Sequence, residues 1–377
     1  MTRVQTLGIM RRLAVAMLAL LFIPVAFAVP ASASSPVVAC GDVLTTSVTL
    51  TTDLMCPGAG LTVDADDVVL DLNGHTVTGT GQGAGVTVDG NTGTVVKNGT
   101  IVGFTTGVNA WRSTITLSAV RLIGTNLYSK ASTVQVGGTL STCRLDGLVY
   151  REGQGLTIDR CTLHGDAWIF STRGPLAIKN SVLSGGRLDI GQADNGEYSG
   201  NVFDNFPVSL GIESRRNVFS ANLFRNAVTA LSVDAVIVPA NATRVERNVF
   251  SGNDIGIRAE RRIRNIVIRN NLFRANRSAG ALLENTVTSA SPDPISGNLF
   301  IENGHDPSGI SDGAGTLVRG GLHLRTVVTA PARIALERNT GYGNAGYLIW
   351  APPGQVIDSG GNKGSCLPLP NPDLTCS

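Results

Sequence analysis

Four carboxylates recur at nearly one offset from a repeated phenylalanine. Glu213, Asp234 and Glu260 each lie ten residues after Phe203, Phe224 and Phe250, and Glu284 lies eleven after Phe273. Arginines crowd them: Arg215 and Arg216 follow the first, while Arg258, Arg261 and Arg262 surround the third. Two carboxyls flanking a sugar linkage are the machinery of glycoside hydrolysis. Carboxylates with a basic residue can instead hold Ca2+ through oxygen ligands and remove the proton beside a uronate carboxylate. Arg also pairs carboxylate or sulfate through two parallel hydrogen bonds. The catalytic candidates are therefore Glu213, Asp234, Glu260, Glu284, Arg258 and Arg261, with Arg215, Arg216 and Arg262 as substrate-binding candidates and Ca2+ as the candidate cofactor. Like charges one repeat apart repel and need compensation. The simpler reading of the same residues is thus a solvated, mutually neutralised acid/Arg ladder.

A second candidate lies in NGHDPSGISDGAG, residues 303–315, inside the longest break in the repeat. His305, Asp306 and Asp312 are of metal-ligating type, and long insertions on a rigid scaffold often carry function. A plain solvated loop is the simpler alternative. Asp66, Asp67, His75, His164 and Asp166 sit in turn-like contexts. Trp111, Trp168 and Trp350 are isolated in sequence. Trp168, within AWIF, reads as core, so no row of aromatics suggests a sugar-stacking platform. There is no GxxxxGK[ST], so the phosphate-cradling loop is excluded.

These side chains need a scaffold that brings equivalent positions together. An apolar anchor recurs at Val77, Ile101, Leu122, Leu145, Leu163, Leu183, Phe203, Phe224, Phe250, Phe273 and Phe300, at spacings between 18 and 27 residues. A drifting period near 22 is a repeat signal. Between anchors the chain alternates apolar and polar, as in VVLDL, GVTVDG and DIGIRAE, the pattern of strands with one buried face. Three short strands and three turns fill such a repeat. We expect an all-β fold, a single-domain right-handed parallel β-helix (a solenoid) of about 11–13 coils with disulfide-bracketed ends.

Successive coils would lie about 4.8 Å apart, so like residues stack. The five Phe anchors form an internal column. Asn201, Asn222, Asn248, Asn271 and Asn298, each two residues before an anchor, form an amide ladder, which Asn339 in ERNTG continues. Cys143 and Cys161 occupy that offset in earlier coils, where one coil of separation suits a disulfide. Cys40 with Cys56 and Cys366 with Cys376 bracket the two ends. Caps are needed there because an open coil leaves unpaired strand edges.

The N-terminus carries Arg11-Arg12, an apolar run to Ala28 and an Ala-Ser-Ala cleavage pattern ending at Ala33, which is a secretory signal peptide. The expected divisions are a signal peptide at 1–33, an N-terminal cap at 34–67, the β-helix at 68–358 and a C-terminal cap at 359–377. The apolar run is short for a membrane span. Six cysteines, an even count, fit disulfides outside the cytoplasm. Removing Arg3, Arg11 and Arg12 leaves 27 bases against 28 acids, so the whole-chain excess of base says nothing about nucleic acid. The chain should be secreted, monomeric, off the membrane once the signal is cleaved, and not a nucleic-acid binder. Arg215 to Arg277 holds 12 Arg and four acids, whereas residues 34–96 hold seven acids and no base. The charge is therefore polarised along the axis.

CGDVLTTSVTLTTDLMCPGAGLTVDADDVVLDLNGHTVTG, residues 40–79, resembles the opening of secreted right-handed parallel β-helix repeat proteins of bacteria, common in actinobacteria. The GNLF-type coils and the terminal Cys pair are similar to theirs too. The resemblance covers nearly the whole mature chain and implies the pectin-lyase-like superfamily. That superfamily includes polysaccharide lyases, glycoside hydrolases, epimerases, esterases and phage adhesins, which implies an extracellular polysaccharide as partner, and the Arg-rich region makes an anionic polysaccharide the candidate. Fold analogy alone does not assign chemistry. The Asn-Thr-Asp motif of the polygalacturonase type is missing, and Gly74-His75 is followed by Thr76 rather than Gly. Binding of an acidic polysaccharide, with lyase or hydrolase cleavage as its catalytic extension, therefore stands against a non-catalytic structural or adhesive role.

Overall fold

The computed structural model describes residues 37–211, 213–235, 243–261, 266–284, 295–325 and 334–377. The signal segment and Arg262 lie outside the described residues, as does the side chain of Arg261. Among the described residues there are forty strands and no helix. The chain winds as a parallel β-solenoid of about 13 turns. One sheet, here sheet A, contains fifteen parallel strands, from Val43–Leu44 to Cys366–Leu367. The remaining strands pair in the same way with their counterparts one coil away. Thr94–Val102 and Thr114–Ile123 are long enough to turn the corner between two such stacks and pair with two strands of a neighbouring coil.

The pairing register reproduces the anchor series without a slip. Val77 pairs with Ile101, Ile101 with Leu122, and so on through Phe273 with Phe300 and Phe300 with Gly341. The Phe rings stack nearly parallel, with centroids 4.5, 4.7, 5.0 and 4.7 Å apart from Phe203 to Phe300. Spacing close to the inter-strand distance is what in-register stacking dictates. The anchors are fully buried, so one stripe of apolar side chains forms the centre of the core.

The amide ladder runs beside it and extends beyond the expected residues. Each Asn Oδ1 accepts the backbone N–H and one Nδ2–H of the preceding Asn, from Asn201 through Asn222, Asn248, Asn271, Asn298 and Asn339 to Asn362. Upstream, Ser181 continues the line by donating its N–H to Asn201 and accepting the N–H of Cys161. Cys161 is bonded to Cys143, with Cα atoms 4.8 Å apart. A second ladder joins Asn253, Asn276, Asn303 and Asn344. Buried amides are tolerable only when every donor and acceptor is matched, and stacking identical coils achieves this. Disulfides Cys40–Cys56 and Cys366–Cys376 close the two ends. Such bonds place the folded chain in an oxidising environment.

Candidate functional site

Sheet A carries the chemistry on its outer face. Strand alternation sends Ile257 and Ala259 into the core and leaves Arg258 and Glu260 outside. Asp234 pairs with Glu260. Ala259 pairs with Leu283, which sets Glu260 beside Glu284, and Glu284 pairs with Arg325. Three of the four expected carboxylates thus form one column. Glu213 does not join it. Val208 pairs with Leu231, but the first lies five residues after Phe203 and the second seven after Phe224. The longer turn places Asp234 opposite Gly211 and leaves Glu213 two residues further on, in a left-handed turn at φ 60. There Glu213 accepts a hydrogen bond from Gln192.

Arg258 organises the column. It contacts Glu260 directly and lies 3.7 Å from Glu284. Burial pushes the Glu284 carboxyl above its usual range, opposed by Arg258 and reinforced by the negative charge of Glu260. Two neighbouring acids thus share one guanidinium, and Glu284 is the more deeply buried of the two. The same geometry does not fit Ca2+. The cation position between Glu260 and Glu284 is filled by Arg258, and among the described residues no three His, Cys, Asp or Glu side chains converge on a common metal position.

The other expected residues separate. Arg215 donates its backbone N–H to Asp194, and Arg216 lies 3.8 Å from the same carboxylate, in the turn beyond sheet A. His305 is exposed and bonds the carbonyl of Gly343, and Asp306 pairs with Arg277 at 3.0 Å. Asp312 is buried and accepts from His323 Nε2 at 3.0 Å. His305, Asp306 and Asp312 therefore do not form a metal site, because the loop spreads them over different partners. Other arginines of the basic region meet acids on neighbouring coils, including Arg225 with Asp204 and Arg269 with Glu246. That part of the charge pattern is the mutually neutralised ladder.

Two columns on sheet A hold residues that sequence reasoning misplaced. Trp168 and Phe170 point outward, 43% and 48% exposed, while Ala167 and Ile169 point inward. AWIF is therefore a strand with an apolar outer face, not a core segment. Arg151 pairs with Phe170 and has no acidic partner among the described residues. Lys130, beside Arg151, lies over the exposed ring of Trp111 at 5.2 Å, within cation–π range. Trp168 leads through Asp189, Ser209 and Ser232 to Arg258, and Phe170 leads through Gly191 and Gly211 to Asp234. The small residues make a shallow floor. At about 4.8 Å per coil, roughly 19 Å separates Trp168 from Arg258. A depression of about 310 Å³ lined by Arg151, Trp168, Phe170, Gly191, Ser209 and Gly211 occupies the start of this floor.

No family model and no curated protein matches the chain. Among solved structures, it is similar to the A-module of the Azotobacter vinelandii mannuronan C-5 epimerase AlgE6, at 13% identity and TM-score 0.36 over 90% of each chain. It is also similar to the catalytic domain of a GH87 alpha-1,3-glucanase in complex with nigerose. There the identity is 12% and the TM-score 0.24, over 90% of this chain and 62% of that one. Neither similarity is close enough to assign chemistry to this chain, whose function has to be argued from its own residues.

Proposed function

We propose that this protein binds an acidic polysaccharide laid along the solenoid axis on the outer face of sheet A. The observation that carries the reading is the continuous floor from Trp168 and Phe170, with Arg151, which has no acidic partner among the described residues, beside them, to the Arg258–Glu260–Glu284 cluster. Flat aromatic faces suit sugar rings, and Arg151 suits a carboxylate or sulfate on them. At the far end, Glu284 is the candidate proton donor, since burial favours its protonated form. Arg258 holds Glu260 and Glu284 on one guanidinium. Cleavage by this pair is the catalytic extension of the binding reading.

Affinity electrophoresis through gels containing polyuronate, sulfated glycan or neutral glucan tests this. Retardation by the anionic polymers, weakened about tenfold in Trp168→Ala, which corresponds to about 1.4 kcal/mol, is the expected result. New chain ends released by the wild type and not by Glu284→Gln would add catalysis to binding. Absence of retardation in every anionic gel would overturn the proposal and favour a structural or adhesive role.

A further inference from the structure

The floor of sheet A ends abruptly, and what ends it is visible. Ser209, Ser232 and Arg258 are partly accessible on the outer face, yet the next two positions of the same column, Leu282 and His323, are completely buried. An outward-facing residue of a solenoid sheet is buried only if something lies over it. Here it is a hairpin formed by residues 310–318. Ser311 bridges Leu317, and Val318 donates its N–H to Ile310. Ile310 and Val318 pack with Leu282 in a small hydrophobic cluster separate from the main core.

The hairpin is also held by polar contacts. Asp312 takes the N–H groups of Ala314 and Thr316 on one oxygen, shaping the tip, and His323 Nε2–H on the other. The remaining ring nitrogen of His323 must then accept, and the Tyr347 hydroxyl donates to it at 2.5 Å while accepting the N–H of Arg319 at 3.0 Å. The tip reaches over the second column as well. A Cβ on Gly313 would come within 1.8 Å of Arg325 Nη1, and Arg325 is the residue after Glu284 in that column. The first column is covered immediately beyond Arg258, and in the second the hairpin tip meets the guanidinium of the partly accessible Arg325 just beyond Glu284.

We propose that the 310–318 hairpin is an end-stop, so that the protein recognises a terminus of the polysaccharide rather than an internal stretch. The terminal sugar lies against the hairpin beside Arg258, Glu260 and Glu284, and the rest of the chain runs back over Gly211 and Gly191 to Trp168. This rests on the binding reading above and specifies which part of the polymer the site takes.

The full-length protein is titrated with one polyuronate cut to narrow size classes, at equal mass. End recognition makes apparent affinity per gram follow the number of ends, so chains shortened about tenfold bind about tenfold more strongly, or about 1.4 kcal/mol, until they no longer span the floor to Trp168. Binding per gram that ignores chain length overturns the end-stop while leaving the polysaccharide reading intact. No binding at any length overturns both. A second arm replaces residues 310–318 with a short Gly-Ser linker. Loss of length dependence with binding retained supports the end-stop, and unchanged length dependence in the folded variant overturns it. The wild-type series decides the question if that variant does not fold.

Discussion

Truncating one rung of the amide ladder should be among the most damaging single changes in this protein. Asn248 is 1% exposed. Its Oδ1 accepts both the backbone N–H and an Nδ2–H of Asn222, each at 2.9 Å. Its Nδ2 donates to Phe219 O at 2.9 Å and to Asn271 Oδ1 at 3.1 Å. In Asn248→Ala, Asn271 Oδ1 keeps the backbone N–H of residue 248, and the second Nδ2–H of Asn222 keeps Tyr198 O. Two donors of Asn222 nevertheless lose their acceptor inside the core, and Phe219 O loses a donor. An orphaned buried donor costs about 1–3 kcal/mol, so the two together cost about 2–6 kcal/mol. Solenoid stability is a sum of coil and nearest-neighbour terms, so the loss falls on the interfaces with the two adjacent coils. Urea denaturation followed by far-UV circular dichroism measures it as a shift in midpoint at constant slope. Ser251→Ala is the control, because Ser251 is only partly buried and outside the ladder; it should stay within about 0.5 kcal/mol. If Asn248→Ala were as stable as that control, satisfied amides would not be what holds these coils together.

Two further outcomes follow from single sites. Glu284 has a folded-state carboxyl pKa raised by burial, so the folded chain binds its proton more tightly than the unfolded chain. Its contribution to stability is therefore largest below the ordinary carboxylate range, is lost as pH rises through the raised value, and is unfavourable above it. Glu284→Gln should accordingly stabilise the fold at neutral pH and lose that advantage on acidification; parallel stability–pH curves for the two proteins would contradict this. Cys143 and Cys161 close a loop at a sequence separation of 18, for which chain entropy gives roughly 3 kcal/mol. The double Ser variant should lose about that much, and no midpoint shift would show that the ladder beside the bridge holds these coils without it.

The solenoid was legible because its cause is periodic. Each anchor from Val77 to Phe300 sits at a position that the next coil must repeat, so a spacing in the sequence becomes a pairing in space. The amide ladder and the Cys143–Cys161 bridge followed from the same offset. The outer face was less legible, for two physical reasons. First, the turn between an anchor and its sheet A strand is free to change length. Two residues gained after Phe224 moved Asp234 opposite Gly211 and removed Glu213 from the column, while the anchors themselves stayed in register. Second, AWIF has apolar residues on both faces, so composition could not say which pair was buried. Only the pairing of Ala167 with Leu148 and of Trp168 with Val149 decides it.

The hairpin at 310–318 shows the limit of repeat logic most clearly. His323 aligns with Leu282 and Trp350 along the outer column, a position that alternation alone assigns to solvent. Burial there pushes its imidazole below the usual range even though the Asp312 carboxylate opposes the shift. Burial works to raise Asp312 as well, but the hydrogen bond from His323 and the N–H groups of Thr316 and Ala314 outweigh it and hold the carboxyl low. A neutral imidazole, a carboxylate and the Tyr347 hydroxyl thus satisfy one another in a place the repeat would leave wet. An insertion of this kind cannot be read from the repeat period, since it is defined by departing from it. Its buried polar latch makes it part of the folded body rather than a passing loop. That is why the sequence feature that first suggested a metal site is better understood as a hairpin latched onto the outer face of sheet A.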